Sequence, residues 1–492
     1  MLTPLLPKLN MARLNHSDLL ALGFMTFALF LGAGNIIFPP LAGLQAGAHL
    51  LPAAIGFLIT AVGLPLLTVV ALARVGGGMP ALTAPLGQGA GTAMAVAVYL
   101  VIGPLFATPR AAVASFEIGI SPFSGVGALA LSAYTSVFFL LVWALVLFPG
   151  RLIDMVGKLI TPVLIVALIL LGAAGLWLPA GPVAPPQGDY VTQPLLKGFL
   201  EGYLTMDALG ALVFGIVIAT AVRDRGVFER RLVTRYSVIA VLIAATALAL
   251  VYLSLFYLGA GSAVLAQGTS NGGQLLTRYV QHTFGTPGLL LLAVVIVLAC
   301  LTTAVGLMTA CGEYFGELLG QPYRRVATAF VLLSLLISNV GLTQLIQFSI
   351  PVLMGLYPLA IMLVVLSLAD GLWRVSERVF RPVMAVTCVF GVADGLNAAG
   401  IGQGVATRFF QSLPLADVTM GWVLPAAITL LIAAGVMGMA GLSCTATGGG
   451  GLVCGEVGRL WSEGRRASQS FGSAISQSRK VRAAGRRRRC DG

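Results

Sequence analysis

Charge is what this sequence has least of. Only 9% of its 492 residues are Asp, Glu, Lys or Arg, against 58% hydrophobic. That balance excludes a soluble globular domain of ordinary composition and places the chain in a membrane. Histidine is almost missing: His16, His49 and His282 are the full set, all near the ends of apolar runs, and no His-Glu pair has zinc spacing. No glycine loop followed by Lys and Ser/Thr could cradle a nucleotide phosphate, which argues against a self-contained ATP-driven pump. No constellation suggests an enzyme, and no organic cofactor is implied. Cys300, Cys311 and Cys388 lie in apolar runs and Cys444, Cys454 and Cys490 in the tail, without metal-type pairing, so they receive no disulfide or metal role. The 29 Lys and Arg outnumber the 17 acids, but ten of them lie beyond Gly455 and most others fall between apolar runs. No nucleic-acid partner is therefore inferred.

What fills the chain instead is long apolar runs. A membrane-crossing helix needs roughly 20 apolar residues, and about twelve such stretches can be placed: 17–46, 51–74, 90–118, 127–148, 152–178, 194–222, 232–260, 287–314, 324–340, 343–368, 380–400 and 420–440. They are apolar all round, which excludes a transmembrane barrel. The expectation is an all-α membrane protein: a cytoplasmic segment over 1–16, one twelve-helix bundle over 17–440, and a basic, disordered tail over 441–492 rich in Ser, Gly and Arg. Such a tail can lie on anionic membrane lipid or simply be solvated. Arg74, Arg151, Arg223, Arg230, Arg324 and Arg378 fall in alternate loops, whereas the opposite loops hold little beyond Lys197, Arg278 and Arg408. The asymmetry puts both termini in the cytoplasm.

Two spans are interrupted. The first carries Gly32-Ala33-Gly34-Asn35 and the sixth carries Tyr203-Leu204-Thr205-Met206-Asp207. A break in the leading helix of each half is what a five-plus-five inverted repeat would show, with repeat one over about 17–178, repeat two over about 194–368 and two extra helices over about 380–440. Broken backbone at bilayer depth is tolerated where it lines a protein-buried cavity. The N–H groups of Gly34, Asn35 and Ile36 then present a positive helix end to a carboxylate, and the carbonyls of Ala28 to Leu31 present a negative end to a cation or ammonium group. The alternative is a packing kink. In span eight, Ala299, Thr302 and Thr303 share a face, so one carbonyl and two hydroxyls can offer oxygen ligands to a hard cation; back-bonding of the hydroxyls to their own helix is the competing reading. Ionisable residues inside spans are functional candidates. Arg110 and Glu117 lie roughly 10 Å apart on one face, Asp207 sits in the second break, and Glu313 shares a face with Thr302 toward the cytoplasmic end. Arg110 is expected to pair with Asp207 or Glu117 and gate the cavity, or else to form an ion pair that only locks helices. Glu313 is read as an inner-gate residue.

These segments have a familiar look. "ALGFMTFALFLGAGNIIFPPLAGLQAG", "GPLFATPRAAVASFE", "GYLTMDALGALVFGIVI", "YVQHTFG", "LTTAVGL" and "SNVGLTQLIQFSIPVL" closely resemble the bacterial branched-chain amino acid carriers, cation symporters grouped with the amino acid–polyamine–cation class. The resemblance covers most of residues 15–435 and fades after about Val436. It implies a bacterial cytoplasmic-membrane symporter of leucine, isoleucine and valine, coupled to sodium, with lithium or a proton as alternatives. It also implies that Gly32, Ala33, Gly34 and Asn35, with Phe106, Tyr203, Thr205 and Met206, hold the amino acid, and that Ala28 and Leu31 carbonyls join Ala299, Thr302 and Thr303 around the sodium ion. A passive channel or a non-transporting receptor is the rival class, and a proton-coupled transporter of another small amino acid is an alternative within transport, since Asp207 and Glu117 could carry protons. The oligomeric state is left open.

Overall fold

A computed structural model of the protein describes residues 14–125, 127–147, 161–373, 375–401, 419–437, 445–447 and 451–453. Nearly all of them are helical. The order is α1 (His16–Phe30), α2 (Ala33–Ala46), α3 (50–75), α4 (Gly78–Thr83), α5 (Gln88–Ser124), α6 (Ala128–Val146), α7 (Thr161–Trp177), α8 (Pro194–Tyr203), α9 (Asp207–Arg223), α10 (Arg230–Ala260), α11 (Gly272–Leu319), α12 (Tyr323–Ser338), α13 (Leu342–Leu368), α14 (Ser376–Ala398) and α15 (Val423–Met437). The protein is an all-α, multi-span membrane protein. Of the expected tail, the described part is one small hairpin pairing Thr445–Thr447 with Gly451–Val453. The rest of 441–492, most of 1–16 and the start of the expected span 152–178 lie outside the described residues.

Among the described residues, seven helices are long and apolar enough to cross a membrane unaided, or eight if the bent pair α8 and α9 makes one span. That is fewer than the twelve expected from hydropathy, and the shortfall has physical sources. Broken and short segments such as α1, with 15 residues, fall below the length of a full crossing. Two continuous stretches are conversely too long for one. Ala33–Val75 has 43 residues, about 65 Å of helix against a hydrocarbon core of about 30 Å, and Gly47 inside it has φ 48°. The 48 residues of α11 contain Gly285 at φ 64° and ψ −155°, followed by Pro287, which is where hydropathy alone had started span eight.

Three segments relax into π-turns, at Ile59–Gly63 in α3 and at Val101–Leu105 and Phe116–Ile120 in α5. Such turns widen a helix locally and free a carbonyl. The second contains Pro104 and a non-helical Gly103, about two turns before Arg110. The half-helices are held by close backbone crossings. A Cβ on Gly43 of α2 would overlap the Phe256 carbonyl of α10, and one on Gly259 of α10 would overlap the Pro40 carbonyl of α2. Small residues at such crossings replace the hydrophobic driving force that lipid does not supply. The core around them is a layer of buried Phe27, Phe57, Phe214, Tyr252 and Tyr357.

Candidate functional site

The two breaks meet in the middle of the bundle. At the first, α1 stops at Phe30; Leu31 (φ −70°, ψ 91°) and Gly32 (φ −116°, ψ −168°) are extended, and α2 begins at Ala33. Gly32 N–H donates to Asn35 Oδ1 at 3.2 Å, so the Asn35 side chain satisfies one amide at the start of α2. At the second, α8 and α9 are bent by 45° around Leu204, Thr205 and Met206. Met206 takes the turn at φ 65°, a left-handed conformation that costs a non-glycine residue free energy. The left-handed residue is thus not in the glycine-rich break, whose glycines have ordinary φ.

Arg110 of α5 ties the second break to the first. Its Nη1 donates to the Leu204 carbonyl at 2.8 Å and its Nη2 to the Thr205 carbonyl at 3.3 Å. Its guanidinium lies 5.2 Å from the centre of the Phe38 ring, a cation–π contact. A Cβ built on Gly34 would stand 2.8 Å from Nη2 and 3.0 Å from the Thr205 carbonyl oxygen, so the absent side chain is what admits the guanidinium to the N-terminal end of α2. The buried Nε–H has no partner. The expected ion pair is corrected here: among the described residues no carboxylate lies within salt-bridge distance of Arg110, and the ion pairs are Lys197 with Glu201 and Arg381 with Glu377. Backbone carbonyls freed by the break outcompete the acids for the guanidinium.

Asp207 instead bonds two uncharged partners. Its Oδ2 accepts from Asn35 Nδ2 at 2.7 Å and from the Tyr252 hydroxyl at 2.6 Å, and Asn35 also bonds the Tyr252 hydroxyl. Both breaks and α10 are therefore linked through three side chains. Thr303 of α11 reaches across to the first break, donating from Oγ1 to the Leu31 carbonyl at 3.2 Å, with the Leu29 carbonyl at 3.5 Å. Thr302 donates to the Ala299 carbonyl of its own helix at 2.8 Å. A cavity of about 40 Å³ remains between these groups, lined by Gly32, Gly34, Arg110, Asp207, Phe214 and Thr303 among others. It has room for about one water molecule. A larger solute needs the breaks to part.

The family profile described as "Branched-chain amino acid transport protein" matches residues 15–439. The chain belongs to this family. The branched-chain amino acid transport system 2 carrier protein of Pseudomonas aeruginosa is 63% identical over 86% of this chain and 97% of its own length. The system 3 carrier of the same organism is 53% identical over 85% and 96%. The fold is shared with a manganese transporter from Eremococcus coleocola at a TM-score of 0.54 and 14% identity, covering 86% of this chain and 96% of that one. The family is one of transport proteins, not of enzymes.

Of the residues singled out from the sequence, the structure of this family member brings Gly32, Ala33, Gly34, Asn35, Thr205, Met206, Arg110, Asp207 and Thr303 around one cavity. Ala28, Leu31, Ala299 and Thr302 are buried close by. Phe106 and Tyr203 are not in the cavity wall: Phe106 packs against the main core, and Tyr203 stacks on Tyr357 at 4.3 Å and 11°. Ile102, Phe214 and Leu307 line the cavity instead. Glu117 lies elsewhere, accepting from Asn271 Nδ2 at 2.9 Å, while Asn271 Oδ1 caps α11 through the Gln274 N–H. Glu313 is exposed beside Tyr314, whose ring stacks on Tyr99 at 4.1 Å. Sequence reasoning missed Tyr252 and Phe38. A tyrosine amid "LALVYLSLF" was the available signal for the first, because a buried phenol needs a partner. Nothing in the sequence marks Phe38 apart from its apolar neighbours.

Proposed function

We propose that this carrier is a sodium-coupled secondary symporter that imports leucine, isoleucine and valine across the bacterial cytoplasmic membrane by alternating access. The observation that carries the reading is the convergence of two positive groups at one wall of the cavity, the N-terminal end of α2 and the Arg110 guanidinium with its unpartnered Nε–H. Together they suit a carboxylate. The carbonyl-rich ends of the breaks and the Asp207 carboxylate suit an ammonium group, and Ile102, Met206, Phe214 and Leu307 suit an aliphatic side chain. Such a pocket separates side chains differing by one methylene by only about 1–3 kcal/mol, so all three branched amino acids are accepted.

The sodium ion takes the carbonyls of Ala28, Leu31 and Ala299 with the hydroxyls of Thr302 and Thr303. The Thr303 bond to Leu31 supports this reading because it brings α11 against the first break, where a cation would stiffen both. The bundle is a twelve-span, five-plus-five inverted repeat with discontinuous helices 1 and 6, plus two extra helices, and both termini face the cytoplasm. Coupling follows from differential affinity: the cation and the amino acid favour the same state, and a ligand binding both states equally would shift nothing. Proton coupling is a second reading, favoured by the Asp207–Asn35–Tyr252 network. Counterflow of labelled leucine in proteoliposomes, with sodium, lithium or a pH gradient imposed separately, tests both. Equilibration without accumulation under every gradient would leave a passive channel.

A further inference from the structure

One ionisable group inside a span belongs to neither break. Asp394 of α14 is only 6% exposed, and its Oδ2 is buried with no hydrogen-bond partner. The Tyr203 hydroxyl is also buried and unpartnered, and both groups border α13, Tyr203 through its stack on Tyr357 and α14 through Gly391 and Gly395 against Gly355 and Pro351. Two buried polar atoms left unsatisfied in the same neighbourhood mark a site rather than a packing contact, since each costs free energy that pairing would recover. The neighbourhood is otherwise tightly packed. A Cβ on Gly391 would stand 2.7 Å from the Gly355 carbonyl of α13, and one on Gly395 would stand 2.7 Å from the Pro351 carbonyl, so α14 packs on α13 backbone against backbone. One carboxylate and one phenol are too few oxygens for a metal ion, and among the described residues no cluster of three or more His, Cys, Asp or Glu could hold one. A proton needs only one oxygen.

Tyr203 is the last residue of α8, directly before the second break, and its ring stacks on Tyr357 of α13. We propose that Asp394 is a proton-binding site in the extra helices that controls the second break through Tyr203. Ionised, the carboxylate draws the Tyr203 hydroxyl into a charge-assisted hydrogen bond and tethers α8 to α14; protonated, it releases α8 and lets the break part. The proton passes between bulk water and Asp394 Oδ2, and no other bond changes. The inference rests on the transport reading above and deepens it. Other titratable groups on the packed elements are few. Among the described residues α13 contributes Tyr357 and α15 none, α8 carries Lys197 paired with Glu201, and on α14 the exposed Cys388 lies about 9 Å from Asp394 along the helix, with Glu377, Arg378 and Arg381 about 20–26 Å away.

Two measurements on the full-length carrier separate the possibilities. The first is the infrared carbonyl band of a protonated carboxylic acid between about pH 5 and about pH 8, recorded for parent, Asp394→Asn and Tyr203→Phe. A titrating band that is lost in Asp394→Asn and shifted in Tyr203→Phe is expected; an identical band in parent and Asp394→Asn overturns the site. The second is leucine counterflow in proteoliposomes with equal pH on both sides. The parent rate should fall about tenfold from the acidic to the alkaline end, the scale of one charge-assisted hydrogen bond, whereas Asp394→Asn should keep the fast rate throughout. A mutant profile that overlays the parent's overturns the link to the break. A parent without leucine counterflow defeats the transport reading and with it that link, while the infrared titration still decides the proton site.

Discussion

Gly34 is where a single atom decides most. Any side chain there must displace either the Arg110 guanidinium or the Thr205 carbonyl, so Gly34→Leu should lower leucine affinity by at least about tenfold, with Gly34→Ala intermediate, while the purified protein stays monodisperse. Unchanged leucine binding by Gly34→Leu would reduce the first break to a packing kink. Thr302 and Thr303 separate in the same way. Cation ligation and back-bonding were both open on sequence grounds, and in the structure Thr302 bonds back to its own helix while Thr303 bonds the Leu31 carbonyl. Thr303→Ala should therefore raise the sodium concentration for half-maximal uptake by about tenfold, more than Thr302→Ala does, without changing preference among leucine, isoleucine and valine. Equal half-activation in both mutants and parent would remove the cation from this place. The glycines and threonines were legible because small and hydroxylated residues are rare within an apolar run. The partner of Arg110 was not, because a carbonyl freed by a break 94 residues away has no sequence signature.

At the scale of the element, hydropathy located the apolar segments but not their joints. The boundaries of α10 and α13 follow the apolar runs closely, since a charged segment precedes α10 and another follows α13, with Gly261 and Gly341 at their other ends. The π-turns of α3 and α5 and the left-handed Met206 were hidden, because they depend on which carbonyls find partners across the bundle rather than on local composition. Asp394 was visible as an ionisable residue in the run 380–400, yet only packing shows that its oxygen is unpartnered. The crossing of α2 and α10 offers a direct test of how these elements are held. Gly259→Val must push backbone from backbone, not a flexible side chain, so its cost belongs at the upper end of the overpacking range of about 1–3 kcal/mol or beyond it. The thermal unfolding midpoint of the purified protein should drop clearly, and a midpoint equal to the parent's would show that α2 and α10 can separate freely.

For the whole molecule, orientation is the first quantity to measure. The arginine-bearing loop between α9 and α10 and the loop before α14 should face the cytoplasm, so single cysteines near Gly226 or Ser376, in a background stripped of native cysteines, should resist an impermeant thiol reagent in intact cells. One near Gln187 should react. Labelling at Gly226 from outside would invert the assigned topology. The network described around the cavity then has a further consequence for energetics. Arg110 supplies one positive charge there and Asp207, held as an acceptor by Asn35 and Tyr252, one negative charge, so the empty centre is electrically balanced. A zwitterionic amino acid leaves that balance intact, and a bound monovalent cation adds one charge to the loaded carrier. In the proposed sodium symport the loaded crossing is therefore expected to be electrogenic, with the membrane voltage contributing about 2.3 kcal/mol per 100 mV for each charge carried inward. Leucine uptake into proteoliposomes should accelerate when a potassium diffusion potential makes the interior negative, and reversing that potential should slow it even with the chemical gradients held fixed.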